Sequence, residues 1–392
     1  MKKRKCRKLT KYSKLGVDVE KKGVQFFTTA VNNLDPNAFS VITQDPESIE
    51  HGITLHTDSA GSKPVQSYLH WKETGDLKAF SGLSQDVVAM NLDDVVCVGA
   101  NPVSFVDYIA LNPLIIPKSD LLSVLSKGFQ NCFNLLRNNG VDVKFGGGET
   151  ADLPDQILTL DISGTVVGRV KLSEVISGEK IKSGDVIIGL RSGGECAYEE
   201  GLNSGIMCNG ITLARHVLMS QKYSKRYPEL TGYGGQVYSG NYLFNDHIED
   251  LEMTVGEAII SPTRIYTPII IEILRKFSDQ VTGLVHNTGG GMTKCLRIGN
   301  RIHYHKFDLP QPDPIFKIIK MVSGESWETM YKNFNMGVGF EIVVKQEIAD
   351  EVMDVSERYK VGAKRIGRCE KAKSSKRNTL LIESPWGTFN YT

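Results

Sequence analysis

Val141-Asp142-Val143-Lys144-Phe145-Gly146-Gly147-Gly148-Glu149-Thr150-Ala151-Asp152-Leu153-Pro154 sets a short apolar run directly before three consecutive glycines and two carboxylates. The run Val141–Phe145 predicts a strand, and the glycines predict a turn at its end. Residues without a Cβ let the backbone approach an anion, while Glu149 and Asp152 are placed to reach a magnesium ion on it. Upstream, residues 119–139 predict a helix. Ser119 is its expected N-cap, Leu121, Leu122, Leu125, Phe129, Cys132, Phe133 and Leu136 keep helical spacing, and Gly140 is the stop. Downstream, residues 156–170 predict a long strand rich in branched side chains, among them Ile157, Ile162, Val166 and Val167. Strands alternating with a helix imply packed α/β layers.

The same alternation extends in both directions. Residues 84–100 predict a helix opened by Ser84, with Val88, Leu92, Val95 and Gly99 along one stripe. Further on, Asp185–Leu190 predicts a strand, Ser192–Gly210 a polar connection, and Ile211 the start of a helix. Ser261-Pro262-Thr263 is the expected opening of another helix through Ile269, Ile273 and Phe277. Gly283–His286 predicts a strand running into Asn287-Thr288-Gly289-Gly290-Gly291, with a helix just after. Two α/β halves are expected, 12–170 and 171–392, behind a basic tail at 1–11. A chain of 392 residues suits two domains better than one.

Composition narrows the function classes. The 46 basic and 45 acidic residues cancel to a net charge of +1, which disfavours a general nucleic-acid binder. No apolar run approaches the roughly 18 residues of a membrane span, and no apolar segment follows the basic start as a secretory signal requires. Seven scattered cysteines without a C-x-x-C pair suit a reducing, cytoplasmic setting. The 38 glycines follow no repeat, so tight turns and close approach to anions are their best physical reason.

Four groups are candidates for chemistry. In His56-Thr57-Asp58-Ser59-Ala60-Gly61-Ser62-Lys63, Asp58 offers a metal-ligating oxygen and Lys63 a point charge for a phosphate. Asp86 and Asp93 stand seven apart, on nearly one helical face. With Leu92, Val95 and Val96 around them and Asp94, they require a cation or a partner if buried. Gly147, Gly148, Glu149 and Asp152 form the third group. Gly289, Gly290 and Gly291 before a helix form a second anion site, although the spacing is not that of a P-loop. Two anion sites with carboxylates suggest a nucleotide-dependent enzyme acting on a phosphorylated substrate.

Taken together, these segments resemble the aminoimidazole ribonucleotide synthetase (phosphoribosylformylglycinamidine cyclo-ligase) family. The matching motifs, in order, are Tyr12–Asp18, His56–Lys63, Asp93-Asp94 with Gly99-Ala100, Gly147–Pro154, Ser261–Tyr266, His286–Gly291 and Phe334–Gly339. Tyr68–Asp76 and Asn203–His216 look like a divergent, Bacteroidetes-type version. Thiamine-monophosphate kinase, selenophosphate synthetase and a hydrogenase maturation factor are wider relatives; Gly-Gly-Glu-Thr-Ala with Ser-Pro-Thr-Arg favours the cyclo-ligase branch. The resemblance implies an α/β (α+β) two-domain fold, with an N-terminal domain forming a β-barrel with its twin in a homodimer and a C-terminal α/β domain. It implies ATP and Mg²⁺ as cofactors and a small phosphorylated ribonucleotide as substrate. It also makes Asp58, Asp94, Glu149 and Asp152 the expected metal ligands, and Lys63, Gly147, Gly148, Asn209 and Gly289–Gly291 the expected ATP or phosphate contacts. Alternatives within this reading are a kinase or ligase of another small phosphorylated substrate, or a non-catalytic nucleotide-binding homologue. One departure matters: Met207-Cys208-Asn209-Gly210 stands where the family carries His-Ser-Asn-Gly. The family's histidine is missing, which leaves His216 and Glu199 as candidates for proton handling.

Overall fold

Alternation along a single strand organises the N-terminal half. Strand β5 (Leu160–Lys171) buries Leu160, Ile162, Val166 and Val170 on one face and leaves the intervening residues more open. Such a strand packs one face on helices and turns the other outward. The computed structural model describes residues 11–18, 23, 26–27, 30–231, 238–372 and 377–392; residues 1–10 of the expected tail lie outside them. After a short helix α1 (Lys11–Lys14) come β1 (Ile42–Asp45), β2 (Ser48–Ser59), α2 (Lys63–Thr74), α3 (Gly82–Val96), β3 (Asn101–Leu111), α4 (Lys118–Asn138), β4 (Lys144–Asp152) and β5. The sheet order is β1-β2-β5-β3-β4, with only β3 and β4 parallel. It is an open sheet within one chain.

Four expectations shift in this half. Gly146–Gly148 are not a turn but lie inside β4, hydrogen-bonded beside β3. A register shift between Phe105 and Asp107 accommodates them, with Gly147 at φ 81°. Gly148 has a steric reason to be glycine, since a Cβ there would sit 2.2 Å from the Asp107 carbonyl oxygen. Helix α3 starts two residues before Ser84, whose hydroxyl instead donates to the Leu125 carbonyl of α4 at 2.8 Å. Strand β5 begins at Leu160 rather than 156, because Gln156 and Ile157 donate back to the Leu153 carbonyl in a turn. Helix α4 begins at Lys118, so Ser119 lies inside it. It buries Leu121, Leu125, Phe129, Cys132, Phe133 and Leu136 as its spacing implied.

The C-terminal half is built on a second sheet. Its strands are β6 (Val186–Arg191), β7 (Val281–His286), β8 (Ile302–Lys306), β9 (Val338–Val344), β10 (Ala363–Lys371), β11 (Thr379–Ser384) and β12 (Gly387–Tyr391). They lie in the order β7-β9-β6-β10-β8-β11-β12. Helices α5 (Ile211–Leu218), α6 (Thr267–Phe277), α7 (Pro314–Ser323) and α8 (Ala349–Arg358) belong to this half. The residues after Gly291 form a 3₁₀ turn, Gly291–Arg297, instead of an α-helix.

Helix α3 joins the halves, touching β2, β5 and α4 on one side and α6 and β7 on the other. Asp86 and Asp93 are fully buried within it. Asp86 accepts from the Thr263 N–H and hydroxyl, both at 2.7 Å, and from Lys63 Nζ at 2.6 Å. Asp93 accepts from the N–H groups of Tyr266 (3.0 Å) and Thr267 (2.8 Å) and from the Thr267 hydroxyl (2.7 Å). A carboxylate at a helix start satisfies orphan N–H groups and opposes the dipole. Asp93 therefore caps α6 from another domain. That is why the helix expected from Ser261 begins only at Thr267.

Lys63 departs from its expected role. Its ammonium is completely buried and also donates to the Ser261 carbonyl, so it is the counter-ion of Asp86 and not a phosphate contact. Lys63→Met should destabilise the fold by about 3–5 kcal/mol, because it strands a buried carboxylate. A urea unfolding midpoint equal to that of the wild type would refute this assignment.

Candidate functional site at the domain junction

One residue along α3 turns a side chain by about 100°, so Asp94 points away from the α6 cap held by Asp93. It meets three groups. His286, at the end of β7, approaches through Nδ1 at 2.8 Å; His56 of β2 approaches through Nε2 at 3.3 Å; Lys294 Nζ stands 3.6 Å away. Asp58, at the end of β2, shares the same electrostatic neighbourhood. Burial alone would raise the Asp94 pKa, but Lys294, His286 and His56 together hold its carboxyl well below the usual range. Asp58 moves the other way: burial, reinforced by the charge of Asp94, raises its pKa.

The histidine contacts define protonation. Asn91 donates its amide to the carbonyls of Asp58 and Val87, so its side-chain oxygen is an acceptor. That oxygen lies 3.2 Å from His56 Nδ1, while His56 Nε2 faces the Asp94 carboxylate. Only the imidazolium donates from both nitrogens. Burial opposes the charge on His56, yet Asp94 outweighs it and the pKa rises. Lys294 is nearly buried, donates to the Thr288 hydroxyl and stands 4.6 Å from the Phe39 ring centre. Burial lowers its pKa and Asp94 opposes that shift.

Three loops converge on this cluster. A Cβ on Gly61 would lie 3.2 Å from the Cys208 carbonyl, and one on Gly289 would lie 3.5 Å from Asn209 Oδ1. The loops after β2, before α5 and after β7 are thus neighbours. Phe334 is the floor beneath two of them: a Cβ on Gly210 would meet its ring at 2.0 Å, and one on Gly291 its carbonyl oxygen at 2.3 Å. Gly291 is glycine for packing. Gly289 is exposed and Gly290 half-buried, a Cβ on either would make only ordinary contacts at 3.5 and 3.9 Å, and among the described residues neither N–H donates to a protein acceptor. Asn209 lies beside Gly289 where these loops meet.

The other expected residues separate from this cluster. Asp58 is in register with Gly164, Gly164 with Asp107, and Asp107 with Gly148. Glu149 therefore lies three strands from the Asp58 edge, about 14 Å at normal strand spacing. It is exposed, as is Asp152, which pairs with Lys118 at 2.8 Å. Gly147 and Gly148 share that distant edge strand. Among the described residues, no three His, Cys, Asp or Glu side chains are grouped to hold a metal. The four carboxylates are not one ligand shell. That arrangement still suits magnesium, which takes one or two carboxylates and completes its shell with phosphate oxygens and water. His216 hydrogen-bonds the Thr212 carbonyl and packs against Tyr238, and Glu199 pairs with the buried Arg264. Neither joins the Asp94 cluster through these contacts.

Reading the sequence missed His56, His286 and Lys294 as site residues, and Asp107 between the two carboxylate edges. Burial raises the Asp107 pKa to about 6. An acid inside the apolar run Phe105-Val106-Asp107-Tyr108-Ile109 was its available signal. Nothing local marked Lys294, whose charged partner Asp94 is two hundred residues away.

A carboxylate-bearing helix meeting a glycine loop between two α/β domains is the arrangement of a defined class. Residues 40–170 match the family of AIR synthase related proteins through its N-terminal domain, and residues 182–378 through its C-terminal domain; the chain belongs to this family. Among its relatives is the phosphoribosylformylglycinamidine cyclo-ligase of Methanocaldococcus jannaschii, 34% identical over 322 residues, or 81% of this chain and 78% of that protein. The Pyrococcus furiosus protein of the same name is 32% identical over 359 residues, covering 89% and 92%. Solved structures share the fold at lower identity. A HypE–HypF complex superposes with a TM-score of 0.55 at 16% identity, covering 93% of this chain and 97% of that one. Thiamine-monophosphate kinase from Stenotrophomonas maltophilia gives 0.51 at 14%, covering 87% and 92%.

The Asp94 cluster makes a spectroscopic prediction. Without nucleotide or magnesium, the His56 imidazole should titrate above the ordinary histidine value, and in Asp94→Asn lower than in the wild type, because burial still opposes the charge while the hydrogen bond and charge of Asp94 are lost. The pair's contribution to stability is complete below the unfolded histidine pKa and is lost as pH rises through the folded one. Histidine NMR titration of both proteins reads the two midpoints; equal midpoints would exclude the His56–Asp94 ion pair.

Proposed function

We propose that the chain cyclises formylglycinamidine ribonucleotide to aminoimidazole ribonucleotide at the expense of ATP, in purine biosynthesis. The observation that carries this reading is the meeting of Asp58 and Asp94 with the open edge of Gly289, Gly290 and Asn209, in a chain whose relatives named as cyclo-ligases align along both domains. In this reaction the terminal phosphoryl group of ATP passes to the formyl oxygen. A nitrogen of the amidine then attacks the activated carbon, closes the ring and expels phosphate. The protein must hold two anionic molecules together and neutralise the charge on the group in transfer.

The residues divide that work. Gly289 and Gly290 offer backbone N–H groups to a phosphate, with Asn209 beside them. Lys294 adds a buried positive charge, kept in place by Asp94 and Thr288. Magnesium, held by Asp58 and by nucleotide phosphates, would supply charge neutralisation, with Asp107 on the next-to-last strand and Glu149 at the far edge of the sheet. Purified protein supplied with formylglycinamidine ribonucleotide, ATP and Mg²⁺ should release aminoimidazole ribonucleotide, ADP and phosphate in equal amounts. Asp94→Asn should lower kcat by roughly a hundredfold, the size expected for removing a preorganised electrostatic group. Absence of product from the wild type would sink the proposal.

The functional unit in this reading is a homodimer. The sheet face away from α3 and α4 exposes Leu55 (56%), Val106 (43%) and Tyr108 (39%), apolar side chains aligned across β2 and β3. A second copy laid on this face would cover them and close a barrel from two open sheets. Sedimentation should give a dimer for the wild type and a folded monomer for Val106→Glu; a wild-type monomer would refute it.

A further inference from the structure

A second buried ion pair lies under the glycine loop, and the chemistry above does not use it. Lys306, the last residue of β8, and Glu341, in β9, are both essentially inaccessible to solvent. Two strands, β6 and β10, separate β8 from β9, so this contact spans the sheet. Lys306 Nζ donates to Glu341 Oε1 at 2.6 Å and to the Met292 carbonyl at 2.8 Å. The Asn287 side-chain amide donates to the same Glu341 oxygen at 2.7 Å and to the Val338 carbonyl at 2.9 Å. Asn287 immediately precedes Thr288–Gly291, and Met292 immediately follows it.

We infer that Lys306 and Glu341 are positioning residues, whose ion pair ties both ends of Thr288–Gly291 to the sheet and holds Gly289 and Gly290 ready for an anion. This rests on the loop being the phosphate contact proposed above. Three consecutive glycines sample many backbone conformations, so an unanchored loop would have to be ordered each time a ligand bound. Anchoring its two ends to one carboxylate removes much of that cost before binding. Stability is a poor explanation for the pair, since a buried ion pair adds little over an apolar pair of similar size. The same comparison supplies the test, because neutralising both partners leaves no stranded charge.

Two double variants separate positioning from folding. Lys306→Met with Glu341→Gln removes the ammonium tether to Met292 and keeps an acceptor for Asn287. Lys306→Met with Glu341→Leu removes both anchors. Both should unfold within a few degrees of the wild type. The KM for ATP or for formylglycinamidine ribonucleotide should rise about tenfold in the first and further in the second, within the range for losing a group that orients a ligand contact. Neither kcat should fall more than about threefold. Hydrogen exchange at residues 288–292 should quicken in the same order. Should the leucine variant fail to fold, the glutamine variant carries the comparison. Wild-type KM values in a folded variant, or a change confined to kcat, would overturn the inference. The underlying loop assignment is tested separately: both ligands failing to slow exchange at 288–292 in the wild type would overturn that assignment itself.

Discussion

The carboxylates of Asp86 and Asp93 are removed from water, and each must be compensated inside the protein. Their spacing of two helical turns sends both to one face of α3. There they meet the Thr263–Thr267 segment of the other domain. Asp86 takes Thr263 and Lys63, and Asp93 takes Tyr266 and Thr267 at the start of α6. Losing either partner would strand a buried charge, so the domains are held in one orientation by electrostatic necessity as well as by apolar contact.

The junction owes its chemistry to that orientation. Asp93 and Asp94 are neighbours in sequence but point in different directions around α3. One serves the clamp and the other faces His56, His286 and Lys294. Asp94 therefore works as a collector of positive charge from both domains. The glycine loop, resting on Phe334 and backed by the Lys306–Glu341 pair, is presented to the same space. The placement of this loop comes from fully buried polar contacts, which have few alternative arrangements.

Local patterns were read well where the physics is local. Helical spacing in α4, the existence of β5 and the strand before the second glycine loop all appear in the fold. Ends were read less well, because the partners that decide them are distant: Asp93 delays α6, and Leu125 draws Ser84 into the interior of α3. The first glycine run misled for a similar reason. Three glycines read as a turn, yet beside β3 they extend as a strand whose bulge needs the missing side chains.

By itself, the sequence determined the two-domain α/β organisation, the carboxylates of α3, the glycine loop after β7 and the family, because periodicity, composition and motif order are properties of the chain alone. Only the tertiary structure decided which charged groups are partners. Lys63 went to Asp86, while Lys294 came to Asp94 across two hundred residues. Glu149 and Asp152 parted from Asp58 by the width of three strands. Charge pairing depends on distances in space and on exclusion of water, and neither exists until the two sheets have closed around α3.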